Sequence, residues 1–169
     1  RLFVGPQSAG ASPGPVCYDK GGEYPTVTDA DVVLGYIDPS YFLGGQIKLN
    51  KEKAFRAIKK FVAEPLRIDV IEAAWSIKAL IDAKMGQETR SQVIGRGLDP
   101  REFMLLAFGG AGPTHVAGYT QGISLKDIKF FPFSPVFSAF GAASADVERT
   151  RIKSVGLVIP PNASEELKM

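Results

Sequence analysis

The sequence has 169 residues, 45% of them hydrophobic and 22% charged, and 20 basic residues against 18 acidic ones give a net charge of +2. A chain of this size buries about 70% of the surface of its unfolded state and needs no metal or disulfide to fold. The balanced charge contains no long run of one sign, so nothing indicates binding to nucleic acid or to a membrane surface. A single cysteine, Cys17, excludes an intrachain disulfide and favours a reducing, cytoplasmic location. The first residue is Arg1, followed by an apolar run, which indicates a fragment of a longer polypeptide.

Residues 5–25 form the first feature of the chain, a stretch too rich in glycine and proline for a helix or a central strand. Its apolar members Val16, Cys17 and Tyr18 argue against a disordered linker, so the pattern predicts an ordered loop near a site. Cys17 has no second cysteine and no nearby histidine, which predicts a buried, inert thiol.

A short helix is predicted directly after this loop, with Thr28 or Asp29 as its cap. Two interpretations of Asp29 stay open. It either caps the helix or directs its carboxylate into a site, where it holds a metal ion or polarises a water. Asp31 is expected to be only a first-turn acid that favours the positive end of the helix.

A pair of helices is predicted between residue 50 and about residue 93. Asn50 can cap the first, which is expected to end before Pro65, and Asp69 can cap the longer second one. Trp75 is expected to pack in the core. The polar residues of the second helix are expected to lie mostly away from its apolar stripe: Lys78, Asp82 and Lys84.

Residues 104–115, MLLAFGGAGPTH, predict a buried strand, a glycine turn and a helix. Gly109, Gly110 and Gly112 lack the Cβ atoms that keep a ligand off the backbone, and a helix N-terminus offers free amide hydrogens. A nucleotide fits such a turn, but the glycines alone favour the alternative, tight packing without a ligand. Thr114 either caps the helix or contacts the ligand.

The C-terminal third is predicted to contain a short strand within residues 123–131 and a helix over residues 136–146. Small residues in that helix predict close packing on a neighbouring backbone, and for Gly141 either such packing or a bound ligand is expected. Residues 147–159 are expected to form an alternating strand, and residues 160–169 a frayed tail.

Several blocks of the sequence together resemble the hydantoinase A and oxoprolinase family over roughly residues 2 to 150. They are VGPQSAGASPGPVCY at 4–18, PTVTDA at 25–30, RGLDPREF at 96–103, FGGAGP at 108–113 and VFSAFG at 136–141. Shorter matches are LG at 34–35, DP at 38–39 and FLGG at 42–45. The family contains ATP-dependent N-methylhydantoinases, 5-oxoprolinases and subunits of ketone carboxylases.

This resemblance implies an α/β, actin-like ATPase fold (ribonuclease H-like) with ATP and Mg²⁺ in a cleft between two lobes. Residues 1–49 and 96–159 would form the C-terminal lobe, residues 50–95 an inserted helical subdomain, and residues 160–169 the tail. Gly109, Gly110, Gly112 and Thr114 would contact the nucleotide. The family's phosphate-binding stretch is absent, so this chain would supply one lobe of the enzyme and be inactive alone.

The resemblance further implies chemistry in which ATP phosphorylates an amide or carbonyl oxygen and so converts it into a leaving group. The substrate would be a cyclic amide or, in the carboxylase relatives, a ketone, and a B-type subunit or domain would be the partner. A structural role, in which the lobe docks a partner subunit, stays open beside the enzymatic one. Asp29 and His115 are the candidate catalytic residues, and no metal ligands are assigned.

His115, the only histidine, follows the glycine turn near the start of the predicted helix. Because a helix N-terminus disfavours a protonated ring, a neutral donor or a metal ligand is expected. A histidine that merely packs at the turn is the alternative.

Overall fold

The computed structural model describes residues 1–154 and contains helices together with a small parallel sheet. This composition confirms the predicted α/β class at the coarse level. In chain order the elements are a 3-10 turn (Val16–Tyr18), α1 (Val27–Leu34), α2 (Lys51–Ile58), a π-helical segment (Lys59–Ala63), α3 (Glu64–Leu66), α4 (Val70–Ile94), a 3-10 turn (Pro100–Glu102), β1 (Met104–Leu106), α5 (Ala111–Tyr119), β2 (Asp127–Lys129), a 3-10 turn (Ser134–Val136) and α6 (Phe137–Ser144).

The hydrophobic core lies among the helices of the first half of the chain. Helix α1 packs against α2 and α4, and its buried Ala30, Val32 and Val33 join Cys17 of the loop in this core. Residues 1–49 and the helices within residues 50–95 therefore share one core. The predicted burial of Cys17 is confirmed, since its side chain is fully enclosed.

Capping residues begin the main helices, and two of the three predicted caps are confirmed. The Asn50 side chain accepts a hydrogen bond from the Lys53 amide at 3.0 Å, and Asp69 accepts one from the Ile71 amide at 2.7 Å. The prediction for α1 was wrong, because Thr26 is the cap and Asp29 is the third helical residue of a capping box. The helix therefore begins two to three residues earlier than predicted, because the Thr26 side chain accepts from the amide of Asp29.

The sequence predicts that the first helix of the pair ends before Pro65, and this prediction was wrong. A π-helical segment changes the hydrogen-bond register at Lys59–Ala63 and leads into α3. Pro65 then lies at the start of a new helical turn, where the missing amide hydrogen costs little. The chain consequently remains helical to Leu66.

The two strands form a β-α-β unit in which α5 connects β1 to β2. They pair in parallel, with Met104 opposite Asp127 and Leu106 opposite Lys129. The predicted strand at 104–106 is confirmed, but its predicted burial was wrong, because Met104 and Leu106 are 48% and 45% exposed. The described residues offer β1 only one partner strand.

Three other predictions, two on packing and one on a strand, are wrong for the described residues. Trp75 is 53% exposed rather than part of the core. Helix α6 forms as predicted, yet a Cβ built on Gly141 meets no atom of residues 1–154 within 4 Å, so no close packing explains this glycine here. Residues 147–154 form no strand. Residues 155–159 of that predicted strand, and the predicted tail at 160–169, lie outside the described residues.

No helix among the described residues has both the length and the apolar character that crossing a membrane requires.

Candidate functional site

The glycine turn between β1 and α5 is the first candidate site. Gly109 adopts a positive φ of 78°, and its amide donates to the carbonyl of Ser134 at 2.8 Å. This bond fixes the turn against the loop that follows β2. Helix α5 starts immediately afterwards, with Pro113 in its first turn as the sequence predicts.

The start of α5 is open on the side of the glycines. No side chain of residues 1–154 caps this helix, so the amides of its first turn lack an intrahelical acceptor. A Cβ atom built on Gly109, Gly110 or Gly112 meets nothing within 4 Å among these residues. Within residues 1–154 no close contact accounts for Gly110 and Gly112, whereas the positive φ of Gly109 itself favours glycine. The turn instead leaves room for a ligand against the backbone, where helix amides favour a phosphate or another anion.

Thr114 does not cap α5. Its hydroxyl donates to the carbonyl of Gly110 at 2.9 Å, within the helix itself. The hydroxyl oxygen keeps its lone pairs for a ligand, and the residue also lines a groove of about 740 Å³ between α4 and α5. The structure thus brings Thr114 and the three glycines together at one helix end.

His115 lies one residue further along α5 and is the centre of a buried polar cluster, which also contains Asp31, Asp82 and Lys78. Its side chain is 1% exposed. Its Nδ1 lies 2.6 Å from Oδ1 of Asp82, and its Nε2 lies 3.1 Å from Oδ2 of Asp31. Lys78 Nζ completes the cluster by donating to Oδ2 of Asp82 at 2.6 Å. Helices α1, α4 and α5 are therefore joined through one imidazole ring.

The contacts of the ring favour an imidazolium, against the expectation of a neutral histidine. The hydrogen bond to Asp31 raises the pKa of His115 most, burial lowers it, and the charge of Asp31 and the bond and charge of Asp82 raise it further. Both ring nitrogens face carboxylate oxygens, and only the protonated ring donates from both. These two contacts favour the charged ring more strongly than the nearby helix N-terminus disfavours it, because they are direct and buried.

The same contacts correct the expectations for the three partners of the ring. Asp31 was expected to be only a first-turn acid, but it lies beyond the first turn of α1 and is 3% exposed. Lys78 and Asp82 were expected to face away from the core and are 3% and 8% exposed. With an imidazolium, the four charges of the cluster sum to zero, which explains how they are buried together.

Two details distinguish this cluster from a core network in which every polar atom has a hydrogen-bond partner. Oδ1 of Asp31 has no hydrogen-bond partner in residues 1–154, although it is buried. Lys78 Nζ lies 4.6 Å from the ring centre of Tyr36 and 6.0 Å from that of Trp75, so aromatic faces provide its remaining contacts. Both aromatic rings line the groove between α4 and α5.

Glycines missed by the sequence analysis bring α4 and α5 close enough for this network. A Cβ on Gly118 would collide with the carboxylate of Asp82, and a Cβ on Gly86 would lie 2.6 Å from the carbonyl oxygen of Tyr119. Any larger residue at either position would separate the helices. The sequence contains one signal of this network, the four-residue spacing of Lys78 and Asp82 on α4. That spacing alone does not reveal that the two side chains are buried.

Asp29, the other candidate catalytic residue, lies fully buried beneath the N-terminal loop. Its carboxylate accepts hydrogen bonds from the amides of Val16 at 3.1 Å, Cys17 at 2.7 Å and Thr26 at 2.8 Å. The hydroxyl of Thr26 is a fourth donor, at 2.8 Å. These bonds hold the 3-10 turn against the start of α1. None of them involves His115, so the structure does not join the two candidate catalytic residues.

The environment of Cys17 agrees with an inert thiol. Burial raises its pKa, and the charge and hydrogen bond of Asp29 raise it further. The protonated thiol is therefore the dominant form at neutral pH. Among the described residues, no three histidine, cysteine or acidic side chains are grouped as a metal site, so the residues of this part of the chain assign no metal.

Comparison with known proteins gives the same relatives by sequence and by structure. The family model described as hydantoinase/oxoprolinase matches residues 1–151. The acetophenone carboxylase gamma subunit of Aromatoleum aromaticum is 52% identical over 147 residues, which cover 87% of this chain and 20% of that protein.

Two solved structures share the fold. The nucleotide-free structure of acetone carboxylase superimposes with a TM-score of 0.82 at 39% identity, covering 86% of this chain and 21% of that one. The ATP-dependent caprolactamase from Pseudomonas jessenii gives 0.75 at 46% identity, covering 83% and 20%. This chain spans about a fifth of the length of these relatives. The predicted family is confirmed: the chain belongs to the hydantoinase/oxoprolinase family.

Proposed function

We propose that this chain is the nucleotide-binding lobe of an ATP-dependent enzyme of the hydantoinase/oxoprolinase type, which hydrolyses a cyclic amide. The observation that carries the proposal is the open, uncapped start of α5, where a Cβ on any of three glycines meets no described residue within 4 Å. The similarity to the ATP-dependent caprolactamase supports the nucleotide and the class of reaction. An actin-like ATPase lobe at 1–49 and 96–159, with residues 50–95 as an inserted subdomain, is the architecture we propose.

The residues at this turn fit an ATP molecule. Gly109, Gly110 and Gly112 would allow the nucleotide to lie against the backbone, and the free amides of the first turn of α5 would face its polar groups. ATP supplies the phosphoryl group that makes an amide or carbonyl oxygen a good leaving group. Mg²⁺ would accompany the phosphates of the nucleotide.

The work of this chain is to position the turn. His115, held between Asp31 and Asp82, fixes α5 against α1 and α4, and the backbone bond from Gly109 to Ser134 fixes the turn in front of the helix. A rigid turn presents its amides without rearrangement when the ligand arrives. We assign His115 this positioning role, because both ring nitrogens already bond to carboxylates. A catalytic role of His115 or Asp29 stays a prediction.

A ketone carboxylase subunit is the second candidate function. The 52% identity to the acetophenone carboxylase gamma subunit and the superposition on acetone carboxylase favour it. Both functions use the same nucleotide site, and both imply a partner subunit or domain of the B type. A non-catalytic docking lobe is the third candidate, and the test below separates it from the first two, because a lobe of that kind need not bind ATP.

The test is the affinity of the full-length protein for ATP, measured by calorimetry in the wild type and in Gly110→Val. We expect the valine side chain to occupy the ligand's space and to abolish measurable binding, while the fold persists. Thr89→Val is the control for a valine on a helix away from the turn, because Thr89 lies on α4 and does not line the groove beside Thr114. Unchanged ATP affinity in Gly110→Val would contradict the proposal.

A further inference from the structure

We propose that Ser134 is a positioning residue for the nucleotide, because its side chain fixes the carbonyl group that holds the glycine turn before α5. Ser134 lies in the segment of residues 130–136, between β2 and α6, and is 2% exposed. A residue so deeply buried acts through the turn and not by direct contact with a ligand. The inference rests on the proposed function, because it adds a residue to the nucleotide site of that enzyme.

The glycine turn needs a bond from outside to select one conformation. Glycine adopts positive and negative φ about equally readily, so a turn with Gly109, Gly110 and Gly112 is costly to order. A Cβ built on any of the three meets nothing within 4 Å among residues 1–154, so packing at these positions does not restrict the turn. The bond that does restrict it runs from the amide of Gly109 to the carbonyl of Ser134, at 2.8 Å.

Two reciprocal hydrogen bonds hold Ser134 within its own segment. The amide of Phe131 donates to the Ser134 hydroxyl at 2.7 Å, and the amide of Ser134 donates to the carbonyl of Phe131 at 2.9 Å. Pro132 and Pro135 lie in the same segment and have no amide hydrogen to contribute. Loss of the hydroxyl would therefore leave the amide of Phe131 without its acceptor and free the segment to move.

Aromatic packing joins the turn to this segment a second time. Phe137 begins α6, and its ring stacks on that of Phe131 at a centroid distance of 5.2 Å. The same ring lies 5.6 Å from that of Phe108, the residue directly before the glycine turn. The position of the turn therefore depends on residues 131–137 as well as on His115, which holds the helix behind it.

The bond to Ser134 also divides the amides of the turn into two groups. The amide of Gly109 is occupied by the carbonyl of Ser134, and Pro113 has no amide hydrogen. The start of α5 then offers a ligand the amides of residues 110–112. Because these residues follow Gly109 directly along the chain, the direction of their amides depends on the bond that holds Gly109.

Hydrogen exchange of the full-length protein without nucleotide tests the hold of Ser134 on the turn. Mass spectrometry with fragmentation to single residues follows the amide of Gly109, which should exchange about tenfold faster in Ser134→Ala than in the wild type. The amide of Ala107 is the internal control, because it donates to the carbonyl of Lys129 at 2.9 Å, outside the segment. An unchanged exchange rate at Gly109 would overturn the inference.

Calorimetric titration with ATP measures the consequence for the ligand. Ser134→Ala should raise the dissociation constant about threefold to tenfold, the range that one hydrogen bond between uncharged groups provides. Ser134→Thr keeps the hydroxyl and should bind ATP nearly as the wild type does. Ser144→Ala is the matched control, because that hydroxyl donates to the carbonyl of Phe140 on the exposed helix α6, at 2.6 Å. Equal affinity in Ser134→Ala and Ser144→Ala would overturn the inference.

The melting temperature of each variant without nucleotide shows whether it folds. A lower melting temperature of Ser134→Ala with wild-type ATP affinity would mean a structural role only and would overturn the inference. If Ser134→Ala does not fold, Phe137→Leu tests the same hold, because it removes the ring that lies against Phe108. We expect weaker ATP binding in Phe137→Leu, and wild-type affinity in that folded variant would overturn the inference.

The two measurements separate this inference from the proposed function. Wild-type protein that does not bind ATP would refute the proposed function, and the nucleotide role of Ser134 with it. The exchange rate of the Gly109 amide would still decide whether Ser134 holds the turn. Wild-type protein that binds ATP, with no effect of Ser134→Ala on exchange or affinity, would refute the role of Ser134 alone.

Discussion

Replacing Asp82 by alanine tests the buried cluster most directly, because this carboxylate has two cationic partners. It accepts from Lys78 Nζ at 2.6 Å and faces His115 Nδ1 at 2.6 Å. The variant leaves a lysine and an imidazolium inside the protein, with Asp31 as the only remaining carboxylate in the cluster. A net charge of +1 is then buried where the wild type has none.

The expected loss of unfolding free energy is about 3 to 5 kcal/mol, the range that follows when one partner of a buried ion pair is removed. A cavity adds to the loss, because the Asp82 side chain fills the space in front of Gly118. An exposed pair with the same four-residue spacing gives the control. Arg56 and Glu52 on α2 are 3.7 Å apart, with side chains 67% and 79% exposed, so Glu52→Ala should cost no more than about 0.5 kcal/mol.

Urea denaturation of the full-length protein, followed by circular dichroism, measures both variants. A loss below about 1 kcal/mol in Asp82→Ala would refute the account of a charge-balanced buried cluster, since it would mean that water reaches these groups or that the residual charges are neutralised without cost. The double variant Lys78→Met with Asp82→Leu removes an opposite pair of charges together. It should recover much of the stability, because no unpaired lysine remains.

Two further predictions concern ionised groups. Since the pKa of His115 is raised in the folded protein, its contribution to stability is complete below pH 6.5, the unfolded value, and declines as pH rises through the folded pKa; urea titrations from pH 5 to pH 9 should show this decline in the wild type and not in His115→Gln. Asp29→Asn keeps one acceptor oxygen but places an amide group against donors of Val16, Cys17 and Thr26, so it should destabilise the protein by about 1 to 3 kcal/mol. A variant that keeps its unfolding free energy and loses turnover would instead support the catalytic role of Asp29.

Local chemistry in the sequence predicted the helices well. Asn50 and Asp69 are capping residues followed by apolar periodicity, and both start the helices that the pattern indicates. The predicted stop at Pro65 failed because a π-helical segment shifts the hydrogen bonds before the proline. Such a shift depends on the packing of the whole helix pair, and single-residue preferences do not contain it.

The sequence predicted only the part of the candidate site that depends on local backbone preferences. Glycines after an apolar strand identify an open turn, because their effect on the backbone is local. The roles of Asp31, Lys78 and Asp82 were not predictable, since each appears in the sequence as an ordinary charged residue on a helix. Their burial requires His115 to arrive from a helix more than thirty residues away, and it requires Gly118 to admit the carboxylate.

Helix α1 connects the N-terminal loop to α5. Its Asp29 accepts from the amide of Cys17 in the loop, and its Asp31 bonds to the ring of His115 on α5. Helix α4 contributes Ile77 to the hydrophobic core and Lys78 to the buried cluster. A displacement of either helix would therefore disturb the core and the cluster together. Buried ion pairs contribute little net stability compared with apolar packing, but they require one specific arrangement of the three helices. The proposed function needs such an arrangement, because the turn before α5 must present its amides in one position when a ligand arrives.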